Sequence, residues 1–270
     1  MDNEKIKAML LEIESTDIDF NVIQTGKESK RVNGFYQPDT HEIFLHNKNF
    51  KSENQLVYTA VHEYTHHLLT AEKQKINPSL CKACKVHTQE FWAKFGSLLQ
   101  IAEEKGYYTL AWENNEELKQ LTMDLKVNYL EKNGQLMQEF GKKLAKAWEL
   151  CQENDIRYED YIDRVLCLPR SAEKDIRKVG AVEVNPSIGF ENMKTVASVK
   201  KKDERQSLEQ EFMQGGKSPS TVREMMKQKA SERRGEDPKT KLEKEKNRLE
   251  KTIAQLTQRL EIVEESLANL

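Results

Sequence analysis

The chain has 270 residues, a third of them charged, with a formal net charge of -2 and a mean hydropathy of -0.80. That length suffices for one large domain or two modest ones with extensions, and the polarity predicts a modest core with much exposed helix. No apolar run is long enough to cross a bilayer, and the opening MDNEKIKAMLLEIES has acidic residues and no uninterrupted apolar stretch, so neither a membrane span nor a signal peptide is expected.

The reading is therefore of a cytoplasmic protein whose four cysteines stay reduced. Charge is uneven along the chain. Residues 1–130 carry 15 Lys and Arg against 19 Asp and Glu, whereas residues 157–235 carry 17 against 13. An anionic partner is thus expected on the C-terminal half.

In chain order, Ile6, Met9, Leu10 and Ile13 form an apolar stripe on a short helix over residues 4–15. Three strand candidates follow, DFNVIQ, RVNGFYQ and HEIFLH, the last two joined by the turn signal PDT into a hairpin. SENQLVYTAVHEYTHHLLTAEK reads as a helix with Ser52 as N-cap. After the linker INPSLCKACKV comes a helix from about His87 to Lys105, closed by Gly106. Residues 112–153 are almost wholly helical in pattern, with Asn133-Gly134 the expected break. NDIRYEDYIDRVLCLPRSAEKDIRKV reads as helix, tight turn, helix, and Ser218-Pro219 opens another helix. From Lys241 onward, Leu242, Leu249, Leu256 and Val263 occupy one core position of a heptad array, and Ile253, Leu260 and Leu267 the other.

The chemistry concentrates in VHEYTHHLL. Residues four apart lie one turn apart on one helix face, so His62 and His66 can grip one ion, while Glu63 leans over a water beside it. Zinc lowers the pKa of such a water and a nearby carboxylate takes the proton. His67 breaks the spacing and reads as a surface or supporting histidine. A third ligand must come from elsewhere. His87 is the best placed, at the start of a helix docked by Phe91, Phe95 and Leu98, with Glu90, His41 and His46 as alternatives. Cys81 and Cys84 read as free thiols in the linker, as a redox pair or as an auxiliary metal grip, since Cys151 and Cys167 form no second pair.

VHEYTHHLL followed some twenty residues on by HTQEFW resembles the SprT-like zinc metallopeptidases, and VNGFYQPDTHEIFLH matches the strand pair ahead of their active helix. The resemblance covers roughly residues 1–110. It implies an α+β zincin-like domain (small sheet with hairpin, active-site helix, second helix) holding one Zn2+ on His62, His66 and His87, with Glu63 as general base in peptide-bond hydrolysis. It also implies a protein or peptide substrate lying along an edge strand, Glu42 to His46. A second family with a similar hairpin and motif is the ImmA/IrrE type of regulatory peptidase, whose usual acidic third-ligand segment has no counterpart here.

The segment Tyr158 to Lys178 is similar to the helix-turn-helix regions of ParB-like partition proteins. This implies duplex-DNA binding within residues 156–235 through Arg170, Ser171, Lys174, Arg177 and Lys178. The expected organisation is a peptidase domain over 1–110, a helical connector over 111–155, a helical domain over 156–235 and a coiled coil over 236–270. That coil would pair with a second copy or with a partner helix. The rival class is a non-catalytic DNA-binding or adaptor protein with a structural zinc.

Overall fold

A computed structural model describes residues 1–76, 87–234 and 238–268. Helix α1 (Asn3–Ile13) starts where the Asp2 side chain accepts the Lys5 N–H, and it buries Ile6, Met9, Leu10 and Ile13. Three short strands follow, β1 (Asn21–Gln24), β2 (Gly34–Gln37) and β3 (Glu42–Leu45). β2 and β3 form the expected antiparallel hairpin. β1 pairs with β3 in parallel, so the sheet order is β1-β3-β2. This corrects one expectation: Glu42 to Leu45 is the central strand, and β2 and β1 are the edges.

Helix α2 (Glu53–Ile76) lies on the sheet. Its start is fixed by Ser52, whose hydroxyl accepts the Gln55 N–H at 3.3 Å. Helix α3 (Gln89–Glu104) begins where Thr88 Oγ1 accepts the Phe91 N–H, and the chain leaves it through Gly106 at φ 76°. Phe91, Phe95 and Leu98 of α3 enter one core with Ile6 and Leu10 of α1, Ile43 and Leu45 of β3, and Val57, Val61, Tyr64 and Leu68 of α2. At about 25 cal/mol per Å² of apolar surface removed from water, this shared core holds α2 against α3 and so fixes the place of His87, two residues ahead of α3.

The rest of the first unit is all-helical. α4 (Glu116–Asp124) runs through a π-helical stretch, Leu125–Glu131, into α5 (Lys132–Glu153). The expected break at Asn133-Gly134 does not occur. Gly134 is buried inside α5 because Pro186 approaches it; a Cβ there would sit 2.6 Å from the Pro186 carbonyl oxygen. A short helix α6 (Tyr158–Asp160) continues as a π turn over Tyr161–Val165 and leads to α7 (Arg170–Ala181). α7 crosses α5 at Gly180 and Gly141, where a Cβ on Gly180 would meet the Gly141 carbonyl carbon at 2.4 Å. Three helices follow: α8 (Phe190–Ala197), α9 (Lys202–Gln214) and α10 (Pro219–Arg234). Ser218 caps α10 by accepting the Thr221 N–H at 3.1 Å.

The chain divides into two units, Met1–Glu224 and Met225–Leu270. The second contains α11 (Pro238–Ala268). An α+β N-terminal region with a three-stranded mixed sheet, followed by helices alone, is thus the architecture. No helix among the described residues is long and apolar enough to cross a membrane.

Candidate metal centre

One turn of α2 sets the His62 and His66 rings 5.1 Å apart. The start of α3 brings His87 to them, with ring centroids 5.0 Å from each. His62 Nε2 and His87 Nε2 are 3.0 Å apart. One nitrogen from each of the three rings lies within 4.8 Å of the others, and among the described residues this is the one such group of His, Cys, Asp or Glu. Those spacings bracket the separation of roughly 3.3–3.5 Å that tetrahedral nitrogen ligands take around a metal at about 2.0–2.1 Å. His41, His46 and Glu90, the alternative third ligands, are not in the group.

Aromatic side chains of α3 support the rings. Phe91 is fully buried and stacks on His66 at 4.3 Å, with His62 at 4.9 Å and His87 at 4.8 Å. Trp92 stacks on His87 at 5.4 Å and remains 41% exposed. His62 and His66 are half-buried, whereas His87 faces solvent. Burial, then the neighbouring His87, holds His62 down at about 4. Burial, then His62 and His87, holds His66 at about 3. Both are neutral at physiological pH, the form that binds a metal.

Glu63 is 6% exposed. Burial pushes its carboxyl up to about 7, against a backbone hydrogen bond from Tyr36 that favours the charged form. That bond follows from the strand register. His46 N–H donates to the Asn33 carbonyl at 2.8 Å, so Asn33 and His46 form a hydrogen-bonded pair. Pairs alternate along an antiparallel ladder, which turns the N–H and C=O of Gly34 and Tyr36 away from β3. The outward Tyr36 N–H meets Glu63.

The sequence did not reveal the network on the far side of Tyr36. His67, read as a surface or supporting histidine, is fully buried. Its Nε2 faces the Ile18 carbonyl at 3.1 Å, which only accepts, so the proton sits on Nε2. Nδ1 must then accept from the Tyr36 hydroxyl at 3.3 Å, and the Tyr36 oxygen accepts from His41 Nδ1 at 2.8 Å. A sequence signal did exist: His67 continues the buried stripe Val57, Ala60, Tyr64 and Ala71 at helical spacing. Tyr64, beside Glu63 on α2, is buried in the core, and its hydroxyl donates to the Glu14 carbonyl at 2.6 Å.

Cys81 and Cys84 lie outside the described residues; Cys151 is buried and Cys167 exposed, both as free thiols. On α7, two of the five residues expected to contact DNA are engaged within the protein. Arg170 Nε donates to Asp163 at 2.9 Å, and Arg177 Nε to the buried Glu173 at 2.7 Å. Ser171, Lys174 and Lys178 are exposed, at i, i+3 and i+7 along one face.

Comparison with protein-family models, curated proteins and solved structures finds no match to this chain. Three imidazoles converging beside the buried carboxylate of Glu63 can hold a divalent ion and move a proton next to it.

Proposed function

We propose that the chain is a zinc-dependent peptidase of zincin-like fold. The observation that carries this reading is the convergence of His62, His66 and His87 with Glu63 buried beside them and fixed by the Tyr36 N–H. An all-imidazole donor set suits zinc, and a solvent-facing His87 leaves an approach to the site. When bound, zinc supplies an acidified water and polarises the carbonyl to be attacked. Glu63 accepts the proton of the attacking water and returns it to the leaving amine. A carboxyl whose proton affinity lies near neutrality suits both transfers. The substrate is an extended peptide, lying along an edge of the sheet instead of the central strand β3. Metal content and peptide hydrolysis, measured together for the wild type and Glu63→Gln, test this reading. A zinc-loaded chain without hydrolysis in either form supports the structural-zinc adaptor instead.

Duplex-DNA binding through α7 is a second reading, favoured by the exposed face of Ser171, Lys174 and Lys178. Loss of salt-dependent duplex affinity in the double variant Lys174→Glu, Lys178→Glu is its test.

A further inference from the structure

Along α11, Leu249, Ile253, Leu256, Leu260, Val263 and Leu267 follow a strict four-three spacing, Leu242 lies one heptad before Leu249, and all seven are 47–66% exposed. Water-facing leucines in that pattern gain most by burial against a second helix with a matching seam. With the leucines at 242, 249 and 256 in the d position, the a position holds Lys246, Ile253, Leu260 and Leu267. The lysine is the informative residue. A charge at an a position disfavours higher assemblies and must find carboxylates at the seam.

We propose that α11 pairs with a second copy of this chain as a parallel, in-register two-stranded coil. In that register Lys246 sits between Glu250 of its own helix, already 3.7 Å away, and the partner's Glu245 at the adjoining g position. The same alignment sets Arg259 at g opposite the partner's Glu264 at e. Lys246 thereby offsets the repulsion between Glu245 and the partner's Glu250. Other alignments lose these pairs. An antiparallel coil spanning the whole seam places Lys246 against the partner's Val263 and Glu243 against the partner's Glu264. A parallel shift by one heptad puts Lys246 against the partner's Ile253, beside threonine instead of glutamate. Self-pairing is the occupant that satisfies both the apolar seam and its one buried charge.

Sedimentation equilibrium of the full chain at micromolar concentration tests the proposal, with helicity followed by circular dichroism. The expected species has twice the 31.5 kDa chain mass. Leu256→Lys is expected to give a monomer with unchanged zinc content. Lys246→Glu, at an exposed position that leaves the fold intact, is expected to weaken the dimer about tenfold or more by gathering six carboxylates in one layer. A monomeric wild type overturns the proposal, as does a trimer or tetramer. Association unchanged in Lys246→Glu overturns the parallel register.

Discussion

The backbone N–H of Tyr36 donates to the carboxylate of Glu63, joining the sheet edge to the residue beside the three histidines. The Tyr36 hydroxyl is held in turn by His67 and His41. One residue thus connects a buried imidazole in the core to the proposed base. Tyr36→Phe keeps the N–H and removes the hydroxyl, leaving the buried His67 Nδ1 without its donor. We expect a stability loss of about 1–3 kcal/mol with zinc stoichiometry unchanged, read by urea unfolding and metal analysis. A variant as stable as wild type contradicts the tautomer assignment.

His67 and His87 should separate cleanly. His67→Ala removes a buried ring and its hydrogen bonds, at a cost of about 2–4 kcal/mol, while retaining one zinc per chain. His87→Ala, at an exposed position, leaves the unfolding midpoint of the metal-free protein nearly unchanged but loses tight zinc binding. Zinc retained in His87→Ala removes it as a ligand.

Metal-free protein should lose stability on acidification below about pH 6.5. His62, His66 and His67 lie at about 4, 3 and 4, lowered mainly by burial. Between those values and the ordinary histidine value, the unfolded chain binds more protons on all three, so stability is present above that value and drains as pH falls. Glu63, raised to about 7, works the other way: the folded state takes up its proton first, which favours folding as pH drops from 7. Three imidazoles outweigh one carboxyl. Thermal melts in chelator from pH 7.5 to 5 should show a falling Tm, and a steeper fall in Glu63→Gln. A flat or rising Tm contradicts the burial of these rings.

Gly180→Ala should destabilise the first unit. A methyl group at Gly180 meets the Gly141 backbone at 2.4 Å, and backbone cannot move aside as a side chain does. The cost is expected at about 1–3 kcal/mol or more, seen as a lower urea midpoint without loss of zinc.

Much of the site was legible because its determinants are local. The four-residue spacing of His62 and His66 is helix geometry, PDT marks the hairpin, and the stripe of Phe91, Phe95 and Leu98 shows how the His87 helix docks. What escaped depends on contacts distant in sequence. β1 joins β3 in parallel across the hairpin, making β3 central, and no local pattern announces that pairing. Gly134 looked like a helix break by propensity, but Pro186, fifty-two residues on, needs the space that glycine leaves. The helical irregularity fell instead at Leu125–Glu131, a stretch with no glycine or proline to signal it. Of the two readings of His67, surface or supporting, burial removes the first, which its place on the buried stripe of α2 could have excluded.

In the proposed reaction Glu63 moves a proton beside a zinc held by three histidines. Its most direct test measures zinc per chain and cleavage of an unfolded protein such as casein, for wild type and Glu63→Gln prepared alike. One zinc is expected in both forms, with a rate lower by a factor of about 10²–10⁴ in the variant. Equal cleavage by the two forms, or a zinc-loaded wild type that cleaves nothing, contradicts it.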